Sequence, residues 1–318
     1  MNLELVVDAR SNGVWIALLR DGKLIELHED RGNTDFSVGD VYLGRVRRVA
    51  NGLNAAFVDV GYEKDAFLHY HDLGPNLHTL QKFTRDVLTK KGKTIKLENY
   101  KLESEIDKLG KIDKVLTRGQ LALVQVVKEP ISTKGPRLSC DISIAGRFLV
   151  LVPFSNGVNI SKKITSKAER NRLQKLMTSI KPKNYGVIVR TVAEGKAVEE
   201  MERDLKESIA KWEEGIKKLV DAKPTERIIG EMSRATSMLR DLLNNDFDNV
   251  IVDSQDLYNE AKDYVHNVAP EKEKIVKLHT GKTKLFEQVG IEKQLKMLFG
   301  RSVSLPGGGY LIVEHTEA

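Results

Sequence analysis

Aromatic and cationic residues cluster on a glycine-rich β region near the start of the chain. Phe57, Phe67 and Tyr42 fall on predicted strands, and an arginine group lies close to them in sequence: Arg45, Arg47 and Arg48. Exposed rings can stack on bases for roughly 1–3 kcal/mol each, while cations follow the phosphate backbone. The pattern predicts a surface for single-stranded RNA. The same spacing also fits an ordinary barrel in which Phe57 and Phe67 are core residues.

Two smaller groups of residues could bind phosphate. Lys128, Lys134 and Arg137 flank a predicted loop, where they could hold phosphates or form an ordinary solvated surface. Arg190 and Thr191 end an apolar strand, and the planar guanidinium matches two phosphate oxygens at once. Such a pair at a strand end can hold a terminal phosphate, although many strands end in these residue types.

A third set consists of carboxylates in the first and later parts of the chain. Asp8 falls in a first strand and Asp253 in a later one, and further acids follow on the next helix: Asp256, Glu260 and Asp263. Nucleases of the RNase H fold bind Mg²⁺ through Asp residues on neighbouring strands. A second active site is one interpretation, and ordinary strand-end and helix-surface acids are the other.

Short strands and a basic segment must position these residues. Residues 3–30 and 36–73 read as strands separated by turn signals, with Gly39, Gly44, Gly52 and Gly61 as bends of a small barrel. Residues 82–118 hold eleven Lys or Arg and six Asp or Glu, which is 11 − 6 = +5. We predict a basic insertion there, over about 74–118, that is partly helical or mobile. Later segments alternate helices and strands, and 302–313 reads as a hairpin.

Composition narrows the class of protein. The 318 residues carry a formal charge of +6 with a pI near 9.1, which suits a polyanionic partner. Cys140 is the single cysteine, so no intrachain disulfide can form, and no Cys or His set has zinc spacing. No apolar run is long enough to span a membrane and the first residues do not form a signal peptide. We expect a reduced, cytoplasmic protein.

Several motifs in one order resemble the ribonuclease E/G family over nearly the whole chain except residues 74–118. The matching stretches are 42–46, 53–61, 66–68, 128–129, 134–135, 144–153, 157–161, 186–191, 195–196, 277–281, 285–286, 291–292, 305–313 and 316–318. The resemblance implies an α+β multidomain fold: an S1-type OB-fold β-barrel and an α/β 5′-sensor, both inserted in an RNase H-like subdomain. A DNase I-like subdomain would begin last.

The resemblance also implies domain bounds. The RNase H-like subdomain would cover 1–35 and 222–300, the barrel 36–141, and the 5′-sensor 142–221. Residues 301–318 would begin the DNase I-like subdomain.

The resemblance also implies roles for residues that match positions in the family's motifs. Phe57 and Phe67 would stack on RNA bases, with Lys128 and Lys134 on the adjoining phosphates. The 5′-monophosphate group would be bound by Arg190, Thr191, Gly146, Val150 and Lys162. Lys162 stands beside Ser161 where the family usually has Arg, and an ammonium cannot bind phosphate in a bidentate way.

The family's catalytic carboxylates would follow the last residue, Ala318. In the family an Asp-x-Asn motif and a second Asp hold the Mg²⁺ that drives hydrolysis, and a Cys pair binds Zn at the subunit junction. None of these lies in this chain, so we expect no catalytic or metal site within it. Its parent would be a Mg-dependent, homo-oligomeric endoribonuclease of single-stranded, 5′-monophosphorylated RNA. The alternatives are a stand-alone RNA-binding protein without catalysis and a nuclease that uses Asp8 and Asp253.

Overall fold

The computed structural model describes residues 2–11, 13–30, 36–89, 95–244, 246–305 and 307–314. The chain divides into two compact units, one formed by Met1–Thr34 with Met232–Ala318 and the other by Asp35–Glu231. Pro306 and the family motif at 316–318 lie outside the described residues, as does the Lys-rich run 90–94.

The strands are, in chain order, β1 (Leu3–Arg10), β2 (Gly13–Arg20), β3 (Lys23–Asp30), β4 (Val41–Ala50), β5 (Ala55–Asp59), β6 (Ala66–His69), β7 (Leu121–Lys128), β8 (Arg137–Ser139), β9 (Ile144–Ala145), β10 (Leu149–Pro153), β11 (Val158–Ile160), β12 (Tyr185–Val189), β13 (Arg227–Ile229), β14 (Phe247–Val252), β15 (Val276–Leu278), β16 (Ser302–Ser304) and β17 (Tyr310–Ile312). The α-helices are α1 (Leu77–Thr89), α2 (Lys167–Ile180), α3 (Val198–Leu219), α4 (Arg234–Leu242), α5 (Gln255–Val268), α6 (Leu285–Gln288) and α7 (Ile291–Leu298). Short 3-10 helices lie at Asn51–Leu53, Tyr70–Asp72, Leu97–Asn99, Ile112–Lys114, Thr191–Ala193 and Pro270–Ile275.

The first unit is built on a five-stranded sheet in the order β15-β14-β1-β2-β3. β1, β2 and β3 are antiparallel neighbours, whereas β14 and β15 run parallel to β1. Side chains alternate between the two faces of a strand, so Leu5 and Val7 of β1 pack on one face with α4 and α5, and Val6 packs on the other with α6. Both faces of β1 are therefore buried.

The second unit contains a closed five-stranded barrel. Its strands follow the order β4-β5-β6-β8-β7, and β7 returns to pair with β4. This confirms the predicted S1-type barrel within an α+β fold. β13 adds to the barrel by pairing with β4, so residues 222–231, which the domain prediction placed in the RNase H-like part, lie instead in the same unit as the barrel.

Gly44 plays a different part from the predicted bend. It lies within β4, opposite Ala122 of β7. A Cβ atom at this position would come within 2.6 Å of Val58 Cγ1 and 3.1 Å of Val124 Cγ2. The prediction of a turn was wrong here, because glycine serves close packing across the barrel interior.

The basic insertion contains a well-packed helix, α1. Leu77, Leu80, Phe83 and Val87 are buried at helical spacing. They join the same core as the barrel and the second sheet of the unit. The segment is thus partly helical as predicted. α1 begins at Leu77, before the stretch 82–118 in which the periodicity was weak, and the described residues of that stretch after α1 contain only short 3-10 helices.

A second sheet in the same unit has the order β11-β12-β10-β9, with α2 and α3 packed against it. Ser166 begins α2 by accepting a hydrogen bond from Glu169 N at 3.3 Å. Trp212 of α3 contacts Phe154 at a ring distance of 5.5 Å, and Phe154 contacts Phe83 of α1 at 5.2 Å. The aromatic cluster ties the insertion helix to this sheet.

The described residues end in a two-stranded hairpin, in which β16 pairs with β17. The sequence predicted a hairpin at this place. In the part of the chain that the structure describes, no helix is long and apolar enough to cross a membrane.

Candidate nucleic-acid interface

One row of opposed residues crosses the outer face of the barrel. Phe57 lies opposite Phe67, and Arg48 lies opposite Phe57 on the far side. Beyond Phe67 the row continues to Arg137 and then to Lys128. Directly opposed residues of neighbouring strands place their Cβ atoms about 5 Å apart on one face. Two aromatic rings therefore stand in a line with cations at both ends.

Strand alternation turns the two phenylalanines outward. Their neighbours Ala56, Val58 and Leu68 are fully buried, while Phe57 and Phe67 are only half-buried. The rings meet edge to face at 5.8 Å. This arrangement rules out the interpretation in which both rings are ordinary core residues.

A β-bulge in β4 orients the arginines. The register shifts between Val46 and Arg48, which leaves Arg47 as the extra residue. Arg45 and Arg48 consequently share the outer face, and the Arg48 guanidinium carbon lies 4.4 Å from the centre of the Phe57 ring. Arg47 instead forms an ion pair with Asp59 at 2.5 Å. Of the three arginines predicted near the rings, Arg48 is the one in contact with them.

Tyr42 does not belong to this surface. Its side chain is only 3% exposed, and its ring stacks on Phe36 at 5.0 Å. The prediction that grouped Tyr42 with Phe57 and Phe67 was wrong. Tyr42 is aromatic as they are, but its side chain lies on the interior side of β4.

The cationic loop after β7 is exposed. Lys128 and Lys134 are solvent-accessible, and Ile131 pairs with Lys134 across the tip of the loop. Arg137 forms an ion pair with Asp72 at 2.8 Å. The structure thus places Lys128 within the row and Lys134 in the adjoining loop, and their contact with phosphate stays a prediction.

The residues predicted to bind a terminal phosphate converge at one edge of the second sheet. β11 and β12 are parallel, so the residues after both strands emerge side by side. The hydroxyl oxygens of Ser161 and Thr191 are 2.9 Å apart. Lys162 follows Ser161 and is exposed.

Arg190 links this edge to the loop between β9 and β10. Its backbone N–H donates to Phe148 O at 2.8 Å, and its Nη1 donates to Gly146 O at 2.9 Å. The guanidinium is half-buried beside Gly146 and next in sequence to Thr191. Two chain segments 44 residues apart are brought into direct contact.

A small apolar platform adjoins Arg190. Val150 lies opposite Ala145 on one side and Ile188 on the other. Val150 is half-buried and Ile188 is 40% exposed, whereas their neighbours Leu149 and Val187 are fully buried. The platform therefore faces outward, where a base attached to a bound phosphate could rest.

Asp204 of α3 is a residue of this site that the sequence reasoning missed. It is 8% exposed and accepts hydrogen bonds from the N–H groups of Arg147, Phe148 and Leu149 at 2.8 to 2.9 Å. Burial raises the pKa of its carboxyl, which the three N–H donors oppose. A Cβ on Gly146 would lie 2.6 Å from an Asp204 oxygen, so glycine is required there.

A signal for Asp204 exists in the sequence. Met201, Leu205, Ser208 and Trp212 form the buried face of α3, and Asp204 interrupts this face with a carboxylate. A buried carboxylate must be paired or hydrogen-bonded, so such a position predicts a structural anchor.

The loop after Thr191 is fixed from α2. Glu169 accepts hydrogen bonds from Arg172 Nε at 2.7 Å and from Gly195 N at 2.9 Å. The hydrogen bond from Arg172 lowers the pKa of Glu169 to about 2, with Gly195 as a further cause. The carboxylate is therefore ionised throughout the neutral range and holds the loop beside Arg190.

Asp8 and Asp253 come together at the ends of the parallel strands β1 and β14. Asp253 accepts from Ala9 N at 2.7 Å, and Arg10 bridges Asp8 at 2.7 Å and Glu292 at 2.9 Å. Burial, with the hydrogen bond and charge of Asp8, raises the pKa of Asp253 to about 6. Of the helix acids predicted beside them, Glu260 instead accepts from Ser233 N at 2.9 Å, and the described residues form no group of three or more carboxylates that could hold a metal there.

The described residues do not fit a metal. None of them form a group of three or more His, Cys, Asp or Glu side chains that could hold an ion. Cys140 is buried, and burial raises the pKa of its thiol to about 12, which disfavours the thiolate that zinc needs. We therefore derive no metal-assisted step from these residues.

Comparisons with known proteins add two family matches. A sequence model described as the Ribonuclease E/G family matches residues 143–318, and one described as the S1 RNA binding domain matches residues 35–109. The S1 match ends within the insertion, while the barrel itself continues through β7 and β8.

Curated relatives match along the chain. Ribonuclease G of Haemophilus influenzae is 33% identical over 99% of this chain and 60% of its own length. Ribonuclease G of Escherichia coli K12 is 32% identical over 100% of this chain and 61% of its own length. Ribonuclease E of a Nostoc species is 33% identical over 88% of this chain and 38% of its own. The chain thus spans about 60% of the length of these ribonuclease G proteins.

Proposed function

The chain belongs to the Ribonuclease E/G family, and from this premise we propose that it is the RNA-binding and 5′-monophosphate-sensing part of an endoribonuclease. Its barrel binds single-stranded RNA, and the edge of its second sheet binds the phosphate at the 5′ end. The role of the whole protein would be RNA processing and decay.

The barrel row is the single observation that best supports RNA binding. Phe57 and Phe67 offer partly open ring surface between Arg48 on one side and Arg137 and Lys128 on the other. Bases of a single strand can stack on rings, whereas bases of a duplex are already stacked on each other. Cations on both sides suit the phosphates of a strand that crosses the row.

The convergence of Arg190, Thr191 and Lys162 supports 5′-phosphate binding. A terminal monophosphate has more charge and more free oxygens than an internal phosphodiester. A guanidinium, a hydroxyl and an ammonium supply charge-assisted donors for it. Val150 and Gly146 would lie under the first base.

Cleavage would be carried out by the parent protein. The family resemblance assigns it to Mg²⁺ held by an Asp-x-Asn motif and a further Asp, and assigns Zn to a subunit junction of a homo-oligomer. The described residues supply no such ligand set, so both assignments are proposals about the parent. The buried single cysteine supports our proposal that the protein works in the cytoplasm.

RNA binding by the purified chain tests the proposal. Phe57→Ala should weaken binding of a single-stranded RNA about tenfold or more, since one stacked base is lost. Binding of duplex RNA should change little. Tyr310→Ala, which removes an exposed aromatic side chain from β17, is the matched control and should leave both affinities unchanged.

Circular dichroism of Phe57→Ala checks that the barrel is still folded. The proposal fails if the folded variant binds single strands as tightly as the wild type does.

A further inference from the structure

A groove lies beside the insertion helix α1, away from the residues assigned so far. Its volume is about 540 Å³, and it is lined by His78, Lys82 and Arg85 of α1 and by Gln120 and Leu121 at the start of β7. Three of its lining residues are basic and none is acidic. The groove belongs to the same unit as the barrel.

The fold of α1 turns its basic residues toward this groove. Residues 78, 82 and 85 follow the spacing i, i+4, i+7, so they form one stripe along the helix. Leu80, Phe83 and Val87 occupy the opposite, buried face. Packing of the apolar face therefore fixes which way the basic stripe points.

Arg85 is available to a ligand. Its side chain is exposed, and it forms no ion pair within the described residues. Lys82 contacts Glu103, and that hydrogen bond lowers the pKa of the Glu103 carboxyl. The side-chain oxygen Oε1 of Gln120 accepts from Thr117 N at 3.0 Å, while its side-chain nitrogen Nε2 has no hydrogen-bond partner among the described residues. The groove thus presents cationic and neutral donors.

The barrel row and the groove are joined along β4. Arg45 lies opposite Leu121, which lines the groove. The bulge at Arg47 places Arg45 on the same outer face as Arg48, which contacts Phe57. Three residues of strand span about 10 Å. An RNA strand on the row would therefore reach the groove within a few nucleotides.

We propose that this groove, between α1 and the start of β7, is a second binding site for RNA phosphates, used by strands that extend past the barrel row. The inference rests on the proposed function, because it takes single-stranded RNA on the row as its starting point. Basic donors next to an RNA path favour a polynucleotide over an acidic protein segment.

The test uses the paired substitution Lys82→Gln and Arg85→Gln. Its matched control is Arg203→Gln with Lys206→Gln, which removes the same charge at the same i, i+3 spacing from exposed positions of α3. Each protein is titrated with a single-stranded RNA of about 5 nucleotides and one of about 25, since one OB-fold takes roughly 4–16.

We expect the groove variant to bind the long RNA roughly tenfold more weakly and the short RNA unchanged. Its plot of log affinity against log salt for the long RNA should be shallower by about 1.4, because two phosphate contacts are lost. The control should leave both affinities within about twofold. Arg85→Gln alone keeps the Lys82 contact with Glu103, and it should still weaken the long RNA roughly threefold.

Other results would overturn the inference. Equal effects of the groove and control variants would show that only net charge matters. Unchanged binding of the long RNA together with loss of poly-glutamate binding would assign the groove to an acidic protein partner. If the wild type fails to bind even the short RNA, the proposed function itself is wrong; if it binds both RNAs and the groove variants do too, only the groove inference is lost.

Discussion

Arg190 shows how much of the candidate 5′ site depends on one side chain. Its backbone and guanidinium both bond to the loop that precedes β10, through Phe148 O and Gly146 O. The same residue therefore orders the candidate site and, in our proposal, supplies a charge-assisted donor for the phosphate. Thr191 and Ser161 complete the edge through their paired hydroxyls.

Arg190→Ala should remove the preference for 5′-monophosphate over 5′-hydroxyl RNA. Loss of a charge-assisted contact of this kind costs about 1.5–3 kcal/mol, so we expect a change of roughly tenfold or more in the ratio of the two affinities. Competition binding with the two RNAs measures this ratio. Lys175→Ala, an exposed cation on α2, should preserve it; an unchanged ratio in Arg190→Ala would contradict the assignment.

Lys162→Arg tests the departure from the family pattern. Arginine can bind two oxygens of a phosphate in a bidentate way, whereas the lysine ammonium acts as a point charge. We expect binding of 5′-monophosphorylated RNA to tighten several-fold, with no change for 5′-hydroxyl RNA. Lys163→Arg, at the next exposed position, is the control, and equal gains from both substitutions would place Lys162 outside the site.

At the scale of elements, the candidate 5′ site is an edge of a sheet held by two helices. α3 holds the loop before β10 through Asp204, and α2 holds the loop after Thr191 through Glu169. Both anchors are carboxylates that accept backbone N–H groups. The two helices thus fix the conformations of these two loops, which strand pairing by itself does not determine.

Asp204→Ala should destabilise the second unit by about 3 kcal/mol or more, because three backbone N–H groups, two of them buried, lose their acceptor. Denaturant unfolding measures this change in the free energy of unfolding. The 5′-monophosphate preference of the folded fraction should also fall, because the loop that carries Gly146 and bonds to Arg190 loses its support. Glu214→Gln on the exposed face of α3 should change neither quantity. A stable Asp204→Ala variant with intact preference would show that the anchor is dispensable.

At the scale of the whole molecule, distant parts of the chain share one sheet. β1, from the beginning of the chain, pairs in parallel with β14, and the unit Asp35–Glu231 is inserted between them in sequence. Asp8 and Asp253 meet where these two strands end, beside Arg10 and Glu292. This pair is expected to make the stability of the first unit depend on pH.

The sign of that dependence follows from the raised pKa. The pKa of Asp253 is raised from its ordinary value of 3.8 to about 6, so the folded state favours the protonated carboxyl. The stabilisation that the protonated Asp253 carboxyl gives the folded state is fully present below about pH 4 and is lost as the pH rises through about 6. Since Asp253 stays partly open to solvent, we expect a loss of about 1 kcal/mol.

Asp253→Asn should abolish this part of the pH dependence. The amide oxygen can still accept from Ala9 N, and the amide nitrogen can donate to Asp8. The difference in free energy of unfolding between variant and wild type should therefore grow in favour of the variant by about 1 kcal/mol from pH 4 to pH 7. Hydrogen exchange of the amides of β1 reports on this unit. A difference that is constant across this range would contradict the raised pKa.

The barrel, its two outward phenylalanines and the strand-end position of Arg190 could be predicted from the sequence, because these features are local. Alternation along β5 and β6 sets which side chains face out, and the ordered family motifs indicated the barrel type. The position of Tyr42 could not be predicted, because residue type does not reveal which side of a closed barrel a side chain faces. The packing role of Gly44 could not be predicted either, because a contact with Val58 across the interior leaves no trace in the neighbouring residues.

The sequence by itself determined the family, the barrel and the kinds of residue available for RNA. Only the tertiary structure decided which of these residues lie together. The row from Arg48 to Lys128 depends on the register of five strands. The Asp204 anchor depends on the packing of α3 against a loop 55 to 57 residues away. Register and helix packing are set by the burial of many apolar side chains at once, so no local pattern encodes them.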